Sequence, residues 1–487
     1  MRRLGPLTAL LLALLLCPAA SQAGVVRYVN AVVFDRPERA FVVRDGRLVW
    51  SATGAVDSEV DLAGGFVVPW LQDAHVHVLG LGEAMDTADL RGADSPEAVV
   101  ATLKHQTPET EWVRGFGWDH TRWPGRALPT HAPLTAAFPD RPVLLSRIDG
   151  HAVWLNAEAM RRLGLSASTG VLVDAAAEAA RARLPAPDPA LRRRWVLQAL
   201  RHLRAQGLTA VHDLAVDAAT LSVYGALDAA GALPIRVHVY VDDLGTPRPP
   251  PGRRLSVVGL KLTLDGALGS RGAALVAPYS DAPATRGTLR LDSTTLASRL
   301  RQAQDAGLRV ALHAIGDAAV GQALDAIEAA SFAPERVRLE HLQVLPPGAV
   351  ARLVRLRVVA SVQPSHLLSD APWVPARLGP ERTKNAYPWR TLLDAGLTLA
   401  LGTDAPVEPP DVLRTLLAST TGPEWHAHER LSATEALRAM SGGALRAVGG
   451  DVALADFTVF DRDPRSASPV TARVLRVVVG GHDVQVP

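Results

Sequence analysis

Residues 309–341 read RVALHAIGDAAVGQALDAIEAASFAPERVRLEH. A short apolar run ends on His313, and an Ala/Leu-rich stretch from Gly316 to Ala330 has the make-up of a helix that stops before Pro334. A second apolar run then ends on His341. Strand, helix, strand is the unit of a parallel sheet. The rhythm continues in both directions, with apolar runs at Phe66–Pro69, Leu208–His212, Ile235–Tyr240, Val257–Leu262, Val358–Val362 and Leu397–Gly402. Helical stretches such as Ser293–Gly307 lie between many of them. Eight such strands predict an α/β fold, a closed (β/α)8 TIM-like barrel. No Gly-rich phosphate loop follows a strand to favour an open doubly wound sheet.

The two ends of the chain break this rhythm. FVVRDGRLVW, residues 41–50, places strand formers on both sides of Asp45-Gly46, a hairpin signal. Phe457–Phe460 and Val474–Val479 are again strand-rich. The expected organisation is a small β-sandwich domain built from residues 24–67 and 445–487, around a barrel at 68–444. A stretch from about Gly82 to Gln206, with a Pro/Trp-rich segment at Trp112–Arg126, does not fit the barrel repeat and predicts an inserted subdomain.

Residues 1–23 have the form of a secretory signal: Arg2-Arg3, an apolar run from Leu7 to Leu16, and Ser21-Gln22-Ala23 before Gly24. The run is too short to span a bilayer, and no later segment supplies ~18 uninterrupted apolar residues. The expectation is an exported chain, periplasmic or secreted, with no stable membrane span after cleavage. Without the leader the chain loses Cys17, its one cysteine, and its charge is balanced. No basic stripe remains for nucleic acid. At 48% hydrophobic and 21% charged the composition is globular, which excludes a disordered or collagen-like chain. The expected partner is a small-molecule substrate, with a homodimer as a candidate assembly.

In a barrel, reactive side chains gather where strands end and loops begin. The residues at those places are metal-binding types. Asp73-Ala74-His75-Val76-His77 follows the first run, and residues two apart in extended chain point the same way, so His75 and His77 can face one ion. His313 and His341 end two further runs, and Asp404 follows the last in LALGTDAPVE. Lys261 lies in VVGLKLTLDGALGSR, too apolar for a surface strand. Only Lys104, Lys261 and Lys384 among 51 basic residues are lysines, so a lysine here asks why arginine would not serve. Two readings stand: an ion pair with Asp265, or a neutral amine that takes up carbon dioxide as a carbamate able to bridge two cations. Any one of the six positions has a bland explanation; all six at strand ends predict one metal centre.

The motifs DAHVH, KLTLDGALGSR, LHAIGD, RLEHLQ, SVQPSH and GTDAPVE resemble the metal-dependent amidohydrolase superfamily. More narrowly they resemble the amidohydrolase family 3 branch that includes N-substituted formamide deformylases. WVRGFGWDHTRWP, PDRPVLL and DGHAVWLN in the insert are similar to that branch too, and the likeness runs from about Ala40 to Val479. The resemblance implies that His75, His77 and Asp404 hold one metal, that His313 and His341 hold the other, and that carbamylated Lys261 bridges them. It implies two Zn2+ ions, with Asp404 moving the proton.

The implied activity is hydrolysis of non-peptide carbon–nitrogen bonds, amide or formamide. The alternatives are ester or lactone hydrolysis on the same centre, or a non-catalytic exported binding protein. His151, Trp118, Asp119 and His366 are expected near substrate, and Asp265 and Arg271 are expected to orient Lys261. His212 is a further candidate, equally readable as buried beside Asp213. Two places depart from the family pattern. Trp70 stands where glycine is usual and could reshape the pocket floor, and the segment between Met440 and Asp456 is short and glycine-rich.

Overall fold

The computed structural model describes residues 24–484 apart from 52, 107–110, 148–151, 167–168, 174, 251 and 467–470. The expected leader and His151 lie outside the described residues. At the centre are eight strands: β1 (Gln72–Val76), β2 (Ala210–Val216), β3 (Arg236–Val241), β4 (Leu255–Thr263), β5 (Arg309–Ala314), β6 (Val337–His341), β7 (Val359–Val362) and β8 (Leu399–Leu401). They pair in chain order, all parallel. After β8 the chain returns to β1. Val76 bridges Ala405, Asp404 N–H donates to the His75 carbonyl at 2.7 Å, and His77 N–H donates to the Ala405 carbonyl at 2.8 Å. The sheet is therefore a barrel.

Its outer layer forms because the intervening helices carry an apolar stripe. Leu296 and Leu300 of helix Ser293–Asp305 and Val320 and Leu324 of helix Asp317–Ala329 pack with Leu260, Val310, Leu312 and Leu339 of the strands. Asp217, Asp292 and Asp411 cap three helix starts by accepting backbone N–H groups, each worth about 1 kcal/mol.

The expected β-hairpin is present: Phe41–Arg44 pairs antiparallel with Arg47–Val49, and Asp45 (φ 50°) and Gly46 (φ 71°) both take the left-handed conformation that a two-residue turn of this kind requires. A four-stranded sheet of residues 47–49, 41–44, 26–29 and 58–61 faces a five-stranded one of 32–33, 66–69, 457–460, 474–479 and 482–484. Tyr28, Phe41 and Phe457 meet between them with ring centroids 5.1–5.2 Å apart.

Four expectations are corrected. Phe66–Pro69 is a sandwich strand, paired with Val32–Val33 and Phe457–Phe460, and the first barrel strand is Gln72–Val76. That strand escapes an apolar-run search because Gln72, Asp73 and His75 are polar yet buried, each with a polar partner. The insert ends earlier than Gln206: its sheet uses strands between residues 88 and 173, whereas Val196, Ala199, Leu200 and Leu203 of helix Pro189–Ala205 belong to the barrel core. That helix crosses helix Val78–Met85 so closely that a Cβ on Gly82 would meet the Trp195 carbonyl at 2.2 Å. At the other end, Ala444–Ala447 is helical and packs with Ala74, Val359 and Ala400, so the barrel extends to it. Trp70 packs with the sandwich: at φ 55° it turns into that domain and donates Nε1–H to the Leu454 carbonyl.

The barrel interior is polar midway up. His212 and His238 sit at paired positions on β2 and β3, rings 5.5 Å apart, and His238 Nδ1 lies 2.7 Å from the Ser256 hydroxyl. Burial, with Arg236 adding to it, pushes His238 down to about 4. A base whose folded pKa is depressed stabilises the fold above its unfolded value near 6.5, and that stability is lost as pH falls toward 4. Denaturation of metal-free protein is therefore expected to show stability falling from pH 6.5 to 4, and His238→Gln should flatten the slope by about 1.4 kcal/mol per pH unit. An unchanged slope would mean that His238 is not a neutral buried base.

Candidate metal centre

Each residue of the site reaches it through a local feature of its strand. His75 and His77 leave β1 on one side, their rings 5.5 Å apart. His341 ends β6 at φ 76°, so its ring breaks the alternation of the strand and lies 5.0 Å from that of His75 and 4.4 Å from that of His313. Asp404 follows β8 at φ 60°. Neither is glycine, and such backbone persists only where its surroundings impose it.

Two hydrogen bonds fix what the histidines present. His77 Nδ1 is 2.9 Å from the Leu214 carbonyl, which can only accept, so Nδ1 carries the proton. His75 Nδ1 is 2.7 Å from Glu340 Oε2, a buried carboxylate that Arg338 also binds. Both rings turn Nε2 toward Asp404 Oδ1, at 3.3 and 3.1 Å, and in the neutral rings these two nitrogens carry lone pairs. Two lone pairs and a carboxylate oxygen this close repel one another unless a cation lies among them.

Among the described residues, moreover, Asp404 Oδ1 and His341 Nδ1 are buried with no hydrogen-bond partner, and donor atoms of His75, His341 and Asp404 lie within 4.8 Å of one another. Nitrogen and carboxylate donors of this kind suit Zn2+ or a similar divalent ion. The residues fit a metal.

Burial raises the Asp404 carboxyl, yet His75, His366 and His77 outweigh it and hold the group well below the usual carboxylate range. His313 is pushed down to about 3 by burial and by the charge of Lys261. Burial also pushes Lys261 down, against the pull of Glu340 and Asp404.

Sequence reasoning placed other residues less well. Asp265 supports the end of β5: it accepts N–H groups from Ala274, Ile315 and Gly316 at 2.9–3.1 Å and lies 3.5 Å from His313 Nε2. Arg271, at φ 58°, pairs with Asp281, which Arg377 also holds. Trp118 is fully buried in the insert core, 6.0 and 5.9 Å from Trp123 and Trp154, with Nε1–H on the Leu145 carbonyl. Asp119 pairs with Arg147 in the insert at 3.7 Å. His366, expected near substrate, reaches the site: its Nε2 is 3.3 Å from Asp404 Oδ2. His212 lies deep in the barrel between Gln72 and Arg338.

Glu340, Arg338 and Gln363 were missed. The signal was available, since period-two reading of RLEH puts Arg338 and Glu340 on the same face, buried charges that must pair with something.

The amidohydrolase family profile matches residues 58–485. The chain belongs to the amidohydrolase family. It is 32% identical to YtcJ of Bacillus subtilis over 92% of this chain and 96% of that one. It is 25% identical to the N-substituted formamide deformylase of Arthrobacter pascens over 90% and 93%. A crystal structure of a metal-dependent hydrolase from Pyrococcus horikoshii OT3 superposes with a TM-score of 0.83 at 28% identity, covering 92% of this chain and 99% of that one. The chain is a hydrolase of this family, with a (β/α)8 barrel and a His/His/Asp cluster suited to metal. No helix among the described residues is long and apolar enough to cross a membrane.

Because buried donors gain partners on binding, a divalent cation is expected to stabilise the fold. At a hundredfold excess over its dissociation constant the gain is about 2.7 kcal/mol. Thermal unfolding with zinc and with chelator checks this; identical melting temperatures would refute the assignment.

Proposed function

We propose that this amidohydrolase is an exported, metal-dependent hydrolase of non-peptide carbon–nitrogen bonds, of amide or formamide type. The observation that carries the reading is the convergence of the Nε2 atoms of His75 and His77 on a buried carboxylate oxygen, Asp404 Oδ1, that has no hydrogen-bond partner among the described residues. A divalent cation bound there lowers the pKa of water toward neutrality and polarises a carbonyl oxygen. His75 and His77 would hold it by Nε2. Asp404, kept ionised by its histidines, accepts the proton of the attacking water and delivers it to the departing nitrogen. His366 holds Oδ2 of the same carboxylate, so the proton carrier keeps its aim.

An amine leaves poorly without a proton, whereas an alkoxide needs less help. A positioned carboxylate therefore favours the amide reading over the ester one. The 25% identity to a formamide deformylase supports the same substrate class.

Lys261 completes the proposal. Its side chain is buried, its ammonium is disfavoured by burial, and among the described residues it makes no ion pair with Asp265. A neutral amine there can take up carbon dioxide, releasing a proton and forming a carbamate with two oxygens for two zinc ions.

Four outcomes are expected. A panel of N-substituted formamides, amides and esters should show turnover of the first two above the esters; turnover of esters alone would overturn the amide assignment. Lys261→Arg should expel at least one metal, since a permanent cation at roughly 4 Å costs on the order of 4 kcal/mol at an effective dielectric of about 20. Lys261→Glu should retain more metal at a reduced rate, and an Arg variant with parental zinc content and activity would exclude the carbamate. Mature protein should begin at Gly24; N-terminal sequencing that returns Met1 would refute export by a cleaved leader.

A further inference from the structure

The site described above depends on where one proton sits, and two side chains compete for it. We infer that Glu340 is a positioning residue that selects the metal-binding tautomer of His75 against the amide of Gln363, and that Arg338 holds Glu340 to that task. This rests on the reading that the centre takes a divalent cation.

A line of hydrogen bonds with a single allowed polarity runs up the inside of the barrel. Arg338, fully buried, can only donate. Its Nη1 is 2.8 Å from His212 Nδ1, so that nitrogen accepts and His212 Nε2–H points at Gln72 Oε1, 3.0 Å away. Its Nη2 donates to the Ser361 hydroxyl at 2.6 Å and to the Ala74 carbonyl at 2.5 Å, which ties β6 to β7 and β1. Its Nε and Nη2 hold the two oxygens of Glu340 at 2.5 and 3.1 Å. Glu340 Oε2 has one other partner, His75 Nδ1 at 2.7 Å. An ionised carboxylate only accepts, so Nδ1 must carry a proton, and in the neutral ring Nε2 is then free for a metal.

Gln363 opposes this. Its Nε2 is 3.4 Å from the Ser361 carbonyl, which sets the orientation of the amide, and 3.2 Å from the same His75 Nδ1. One amide hydrogen is thus aimed at the nitrogen that Glu340 needs protonated. Were Nδ1 to accept from Gln363, the ring proton would move to Nε2 and bond Asp404 Oδ1 at 3.3 Å, and His75 would cease to be a ligand. The two tautomers share one geometry and differ only in which neighbour they satisfy. A charge-assisted bond is roughly twice as strong as a neutral one, so Glu340 prevails.

Glu340→Gln keeps the shape and reverses the choice: the new amide can accept from Arg338 only by turning its own N–H toward His75, and two donors then face Nδ1. In metal-free protein labelled with 15N-histidine, the His75 signal, assigned by its loss in His75→Asn, should report Nδ1–H in the parent and Nε2–H in E340Q. Zinc affinity, measured by competition with a chromophoric chelator, should fall about 10- to 100-fold. Gln363→Met, which removes the competing donor, should leave the parental affinity unchanged or raise it, and should return part of the affinity lost in E340Q. If E340Q does not fold, Q363M alone decides: a tenfold loss of zinc affinity would overturn the inference. An E340Q protein with parental zinc affinity and an Nδ1–H signal would overturn it as well, while leaving the hydrolase reading intact. Failure of the parent to bind zinc would instead overturn the hydrolase reading, and the histidine signals would still decide the tautomer.

Discussion

Asp73 is the residue on which the rest of the molecule closes. Its Oδ1 accepts the backbone N–H groups of both His75 and Thr403 at 3.0 Å, and its Oδ2 accepts the Thr403 hydroxyl at 2.6 Å. One buried carboxylate thereby sews the first barrel strand to the turn after the last. Burial pushes Asp73 up to about 6 while those three bonds pull it down. Since Asp404 follows Thr403 directly, closure of the barrel and assembly of the candidate centre are a single event.

Backbone strain gathers at the candidate centre. His341 and Asp404 occupy left-handed backbone that costs of order 1–3 kcal/mol each in a residue other than glycine. Burial around Asp265 and Asp213, each pushed up to about 6, adds more unfavourable charge beneath the rim. A chain tolerates such a concentration of strain and buried charge where function demands it, with the large apolar core of the barrel supplying the stability elsewhere.

Much of this was legible before any coordinates. The hairpin at Asp45-Gly46 and seven of the eight barrel strands announce themselves through turn chemistry and apolar runs, and His75, His77, His341 and Asp404 come together as their places at strand ends imply. The failures have a common cause. Gln72–Val76 is a strand stabilised by hydrogen bonds to residues far away in the chain, which local pattern cannot contain. Trp118 and Arg271 lie in motifs that carry family likeness, yet their partners, Trp123 and Trp154 for one and Asp281 for the other, satisfy them without the centre. Glu340 sits next to a histidine that drew the attention, and only the neighbours in three dimensions reveal which ring it holds.

The pairing of Phe66–Pro69 with Phe457–Phe460 has a consequence for the order in which the molecule can be made. The sandwich needs both ends of the chain, and the barrel cannot close until the segment around Thr403 exists. A nascent chain lacking its last few score residues therefore holds strands with no partners and a β1 with an open edge. Contacts of such long sequence separation form slowly, because the loop entropy must be met before they repay it. The architecture itself postpones folding until the final strands have been synthesised.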